Sequence, residues 1–384
     1  MPTVYIETEN RRSLTSKEEY INCTFIYVDG DSLARYENTQ IRGMIRNALT
    51  YDLGRFMGMK FCPAARFVDL YLNGNYQGTY QISDQVQVHK KRVEVDEDSG
   101  WLLEVANENS KEEPLISSTG FNIMYNIKNP KDQQLTVDRR IAIGRWIQQF
   151  ESAVASHDYC DPEKGWRAYV DEEDFINWYV GAEITGNIDA LYSIYMYKEA
   201  DDQKMHFGPL WDLDLGYDNS SERSLLNNME AFLGLWNRPF EKILQRLWQD
   251  PWFVQACNDR LRELTDRGLQ AYLLSHIDSL RTTIWQTQTE NFKKWRINQK
   301  VYDWAKHSYY TTYDGYISEL KSFVNIHIPY LQRAFAERQA TAIRQFENRQ
   351  SVNSQSLYDL QGRRITSPDR KGIYIQNHQK FVRQ

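Results

Sequence analysis

Residues 208–219 read Gly208-Pro209-Leu210-Trp211-Asp212-Leu213-Asp214-Leu215-Gly216-Tyr217-Asp218-Asn219. Large apolar residues alternate with aspartates between a Gly-Pro opening and an Asp-Asn close. Alternation predicts an extended strand, with successive side chains on opposite faces. Trp211, Leu213 and Leu215 then share a core-facing side, and Asp212 and Asp214 share the other. Two carboxylates that close repel, and they call for hydrogen-bond donors or a hard cation such as Mg²⁺, Mn²⁺ or Ca²⁺. An isolated D-x-D also suits a hairpin whose aspartates cap turns, so the pattern alone leaves both readings open. The neighbouring sequence favours a site. Gly186-Asn187-Ile188-Asp189 stands at the end of an apolar helical stretch and delivers a third carboxylate, and residues 190–197 predict another strand. His206 precedes the acidic strand with no G-x-S-x-G nucleophile motif in the chain, and reads as a strand-surface residue.

The composition narrows the class. The chain has 384 residues, a formal net charge of −6, 41% hydrophobic and 14% aromatic residues. That describes an ordered globular protein long enough for two core-bearing units. The acidic balance, without a Lys/Arg cluster interleaved with aromatics, argues against a nucleic-acid binder. No apolar run approaches the roughly 20 residues of a membrane helix. The first residues lack a basic and then apolar leader, so a secretion signal is absent from this sequence. Cys23, Cys62, Cys160 and Cys257 stand apart without a CxxC or Cys/His pairing. They are expected to be buried, unpaired core residues rather than zinc ligands.

Along the chain the period changes twice. Strands are expected at 4–6, 23–28, 66–72, 77–82, 101–105 and 122–127, with one helix from Met44 to a Gly58 stop. Asn73-Gly74 marks a hairpin. This makes residues 1–135 a β-rich lobe. Helices follow at 136–155 and, capped by Asp171, up to Gly186; after the acidic strand, amphipathic helices fill 240–345. Residues 136–345 therefore form a helical lobe carrying the acidic hairpin. A polar linker at 351–355 leads to a small β appendage, within 346–384. The fold class is α+β. Trp285, Trp295 and Trp304 read as core or sugar-free surface residues rather than a ligand platform.

In order, these stretches resemble the CotH kinase family, the spore-coat-H-type atypical protein kinases. The likeness rests on Met44-Ile45-Arg46-Asn47-Ala48-Leu49 with Leu53-Gly54-Arg55-Phe56-Met57-Gly58, on residues 66–80 with their N-G-x-Y-x-G-x-Y hairpin, on Gly100-Trp101-Leu102-Leu103-Glu104, on Ile127-Lys128-Asn129-Pro130, and on residues 171–219. The resemblance implies a two-lobed kinase-like fold that transfers the γ-phosphoryl of ATP to Ser or Thr of a protein substrate, with Mg²⁺ or Mn²⁺. It implies Asp189 as the catalytic-loop carboxylate and Asp212 as the metal aspartate, with Asp214 as second ligand or orienting group. Ser193 stands where family members carry a metal-binding asparagine. Residues 358–363 and 371–375 also resemble a C-terminal module of exported bacterial proteins, which implies an extracytoplasmic setting.

One departure bears on activity. About forty residues of the family pattern, rich in glycine and carrying the lysine expected to hold the ATP phosphates, have no counterpart between Gly43 and Met44. Arg46 is the substitute the sequence offers for the phosphates, and Glu104 and Asp84 are candidate partners for the missing lysine. Two alternatives therefore stand beside the kinase: a pseudokinase or surface-binding protein of the same fold, and a Ca²⁺-stabilised carbohydrate-binding or adhesion module.

Overall fold

A computed structural model describes residues 1–14, 22–28, 35–37, 44–106, 114–220, 238–296, 310–354, 357–360, 363–365, 371–376 and 379–383. It is an α+β fold. Strands β1 (Thr3–Thr8), β2 (Cys23–Val28), β3 (Arg35–Glu37), β4 (Ala65–Leu72) and β5 (Asn75–Ser83) form one sheet in the order β2-β1-β4-β5-β3. Only the β1–β4 pairing is parallel. Val4 and Ile6 of β1 face Val68 and Leu70 of β4 in a small core of their own. The β4–β5 turn is made by Asn73 and Gly74 at φ 50° and 80°, the left-handed pair that a tight hairpin requires and that Asn-Gly adopts cheaply.

A second, fully antiparallel sheet contains β6 (Trp101–Ala106), β7 (Leu115–Ser117), β8 (Met124–Asn129), β9 (Tyr195–Lys198) and β10 (His206–Phe207), in the order β10-β9-β6-β8-β7. The strand expected at 122–127 begins two residues late, because Asn122 turns with φ 59°. Central β6 buries Trp101, Leu102, Leu103 and Val105, as a strand covered on both faces should. Since β9 and β10 join β6 and β8, the sheet draws on both halves of the sequence.

The helices are α1 (Arg46–Met57), α2 (Val137–Ala155), α3 (Glu172–Thr185), α4 (Pro239–Leu247), α5 (Pro251–Asp266), α6 (Leu269–Ile284), α7 (Gln288–Trp295) and α8 (Tyr313–Ser354). Helix α3 runs through the centre. Asp171 caps its start by accepting the Asp174 amide at 3.0 Å, Gly186 closes it at φ 55°, and every residue from Asp174 to Thr185 is buried. Trp166, Phe175, Trp178, Tyr179, Phe207 and Phe253 pack around it in one core shared with the second sheet and helices α1, α2, α4, α5, α6 and α8. Helix α7 covers the first sheet: the Asn291 side chain accepts from the Thr79 amide at 2.9 Å. Gly78, at φ 123°, leaves the space that the Trp295 indole occupies.

Four short strands, β11 (Leu357–Asp359), β12 (Arg364–Ile365), β13 (Gly372–Gln376) and β14 (Gln379–Arg383), make the terminal sheet. Helix α8 continues through Ser354, over most of the stretch expected to be a polar linker. All four cysteines are free, but only Cys257 is buried; Cys23 is exposed on the edge strand β2. No helix among the described residues is long and apolar enough to cross a membrane. Trp304 and residues 38–43, up to the junction with Met44, lie outside the described residues.

Candidate functional site

The acidic stretch is a loop, which corrects the strand expected there. Strand β10 ends at Phe207, and residues 208–218 form irregular backbone and turns. Asp212 adopts φ 58°, and Tyr217 and Asp218 adopt 54° and 62°. Such angles cost a non-glycine residue about 1–3 kcal/mol and persist only where the surroundings impose them. The imposing contacts are asparagine side chains in place of a neighbouring strand. Asn187 donates from Nδ2 to the Asp212 carbonyl at 2.8 Å, and Asn47 Oδ1 accepts from the Leu213 amide at 2.9 Å. Asn219 holds the Asp214 carbonyl at 2.7 Å. Apolar alternation survives only in part: Leu213 is buried, while Trp211 and Leu215 are half-buried.

The catalytic-loop candidate meets this loop directly. After Gly186 ends α3, residues 187–193 turn, which replaces the first part of the strand expected at 190–197. Asn187 Oδ1 accepts from the Asp189 amide at 3.2 Å, so one side chain ties the backbone of Asp189 to that of Asp212. The Tyr217 amide also bonds the Thr185 carbonyl at the end of α3, at 2.6 Å. Ser193, at φ 53°, donates its amide to Val105 of β6 at 2.9 Å.

Electrostatics report the same grouping. Asp212 is exposed to water on one side, yet protein atoms crowd the other sides. Burial is the largest cause pushing its pKa up to about 7, followed by the charges of Asp214, Asp189 and Glu104. The charges of these three carboxylates all act on Asp212, which is the charge pattern a divalent cation relieves. The positive end of α1 supplies part of the balance. On its first turn Asn47 Nδ2 donates to Asp214 Oδ1 at 3.4 Å.

Three residues named from sequence have other surroundings than expected. Arg46 is 5% exposed, and its Nε and Nη1 are buried without hydrogen-bond partners. Burial lowers its pKa, while Glu319, Asp214, Tyr217 and Asp218 act in the opposite sense. It is a buried counter-charge to the acidic loop. Glu104 has a lysine after all: Lys128 of β8 lies 2.8 Å from its Oε2 across the second sheet. Asp84 pairs instead with Arg92 at 3.4 Å. The sequence contained the signal for Lys128, in Ile127-Lys128-Asn129-Pro130, but not its pairing, because strand register cannot be read from one strand. Asn47 and Asn187 were equally in view as motif letters without a role.

A second titratable group lies at the start of α3. Asp171, Asp174 and His206 offer atoms within 4.8 Å of one another. His206 is half-buried rather than on a strand surface, with Nδ1 2.6 Å from Asp174 Oδ2 and Nε2 2.7 Å from Asp202 Oδ2. This group carries its own cation. Lys60 Nζ stands 2.8 Å from Asp174 Oδ2 and 3.0 Å from His206 Nδ1.

Comparison with known proteins bears on the whole of this architecture. No curated protein sequence matches the chain. The model of the family described as CotH kinase protein matches residues 35–330, most of the chain and all of the residues just described. The chain belongs to the CotH kinase protein family.

Proposed function

We propose that this CotH family member is an ATP-dependent protein kinase that transfers the γ-phosphoryl group to a Ser or Thr hydroxyl, with Asp189 as base and Asp212 and Asp214 on a divalent cation. The observation that carries the reading is the Asn187 bridge between the Asp189 amide and the Asp212 carbonyl. It ties the backbone of the proposed base to that of the proposed metal aspartate, which supports their acting together. Mg²⁺ or Mn²⁺, held by Asp212 and Asp214 with Ser193 as a neutral oxygen ligand, would neutralise charge on the triphosphate. Ca²⁺ fits the same oxygen donors less demandingly.

The chain's own residues supply the rest. Asp189 accepts the proton of the substrate hydroxyl as its oxygen bonds the γ-phosphorus; the bond to the β–γ bridging oxygen breaks, and ADP leaves with that electron pair. Lys128, poised on Glu104, takes the place of the phosphate-holding lysine expected in the segment without counterpart before Met44. Glu104 orients it and limits its reach. Arg46 stabilises Asp214 and Asp218 from within the core. The family's activity implies a protein substrate, and the likeness of residues 358–363 and 371–375 to a module of exported bacterial proteins supports an extracytoplasmic setting.

A second reading, a metal-binding pseudokinase, is favoured by two observations: Ser193 stands in place of the family's asparagine, and the family's lysine-bearing segment has no counterpart between Gly43 and Met44. The experiment separating the two incubates the protein with γ-labelled ATP and Mn²⁺, in wild-type form and as Asp189→Asn. Label transferred by the wild type and lost in the variant, with Mn²⁺ still bound by both, is the expected result. Mn²⁺ binding without transfer by the wild type gives the pseudokinase.

A further inference from the structure

The peptide unit joining Asp212 to Leu213 is gripped at both of its polar ends. Its carbonyl accepts from Asn187 at 2.8 Å. Its N–H donates to Asn47 at 2.9 Å. The two asparagines come from different places: Asn187 from the turn after α3, Asn47 from the first turn of α1. Asn47 then reaches one step further, with Nδ2 3.4 Å from Asp214 Oδ1. A single amide side chain therefore fixes the backbone between the two acidic residues and one carboxylate oxygen of the second.

The geometry points to Asn47 as a positioning residue for the cation site: it sets the angle and spacing at which Asp212 and Asp214 present their oxygens. This rests on the proposed metal site and deepens it. The need for such a device follows from the backbone. Asp212 at φ 58° occupies a region that L residues visit rarely, so its side-chain direction is held by its neighbours rather than by its own preference. A ladder would satisfy the Leu213 amide in a strand; here Asn47 does so in its place, and Leu213 itself is 1% exposed. The helix that bears Asn47 is anchored by the Thr50 hydroxyl, 2.9 Å from the Tyr217 hydroxyl in the same loop, and by buried Arg46. The loop thus takes its shape from α1.

Positioning has a consequence that a packing role lacks. Mg²⁺ demands near-ideal octahedral oxygens at short range, while Ca²⁺ tolerates irregular sets and longer bonds. Loosening the carboxylates must therefore harm Mg²⁺ more than Ca²⁺. Loss of partners that orient ligands costs about 10–100-fold in metal affinity, and the larger part of that should fall on Mg²⁺.

The test is calorimetric titration of the full chain with Mg²⁺ alone and with Ca²⁺ alone, in wild type, Asn47→Leu and Asn47→Asp. Leucine removes both hydrogen bonds at similar volume. Aspartate keeps an acceptor for the Leu213 amide and loses the donor to Asp214, so it preserves the fold if leucine does not. The ratio of Mg²⁺ to Ca²⁺ affinity is expected to fall about tenfold or more in each folded variant. An unchanged ratio in a folded variant overturns the positioning role and leaves the metal site standing. A wild type that binds neither ion overturns the metal site itself, and this inference with it.

Discussion

Replacing Asp212 by asparagine should make the metal-free protein more stable while destroying its metal site. The folded protein pushes this carboxyl up to about 7 from 3.8, through burial and then the charges of Asp214, Asp189 and Glu104. A carboxyl with a raised folded pKa binds its proton more tightly folded than unfolded. The resulting penalty on the folded state is absent below about pH 4, grows as pH rises toward 7, and is complete above it. Three pH units correspond to about 4 kcal/mol at full value. Asp212 is exposed to water, and screening reduces the figure to about 1–2 kcal/mol. Asparagine is neutral at every pH, so the variant escapes the penalty. Its melting temperature at pH 8 without metal should exceed that of the wild type by about 1–3 °C, with less than half of the gain left at pH 5. Saturating Mn²⁺ should reverse the order, since binding to the folded state alone adds about 2.7 kcal/mol at a hundredfold excess over Kd. Calorimetric melts at pH 5 and 8, with and without Mn²⁺, supply the four comparisons. A variant that is less stable without metal at pH 8, or a gain that ignores pH, refutes the crowding of carboxylates around Asp212.

Other substitutions probe other parts. His206 has its pKa raised: burial opposes the charged ring, but the hydrogen bonds to Asp174 and Asp202 outweigh it. The stabilisation is therefore full below the unfolded value near 6.5 and lost as pH rises through the folded one, so His206→Gln should cost most at pH 6 and little at pH 9 in thermal melts. Asp250 accepts the Trp166 indole N–H at 3.0 Å and caps α5 through the Trp252 amide at 2.9 Å. Asp250→Ala should cost about 2–4 kcal/mol in urea unfolding, as a lost cap and a stranded buried donor together. Lys128→Met should raise the KM for ATP about tenfold or more, the loss of a charged hydrogen bond, while leaving Mn²⁺ affinity in place; an unchanged KM removes Lys128 from the phosphate site.

Local signals carried much of this architecture. Asn73-Gly74 announced its hairpin because left-handed angles are demanded there, and Asp171 and Gly186 announced the ends of α3 because caps act within a turn. The alternation of 208–219 misled for a physical reason. Alternation reports which side chains are covered, not which partner satisfies the backbone, and here three asparagines do what a strand would have done. Asp189, Asp212 and Asp214 were named from motif order, whereas the hydrogen bonds of Asn47 and Asn187 and the pairing of Lys128 with Glu104 join segments distant in the chain. The burial of Arg46 was hidden likewise, since α8 and its Glu319 lie more than two hundred residues away in the chain.

The most direct measurement is anomalous scattering from crystals of the full chain soaked in Mn²⁺. A single strong peak between the carboxylates of Asp212 and Asp214, facing Asp189, is the predicted result. A peak confined to Asp171, Asp174 and His206, or none in a crystal whose Asp212 is open to solvent, would contradict it.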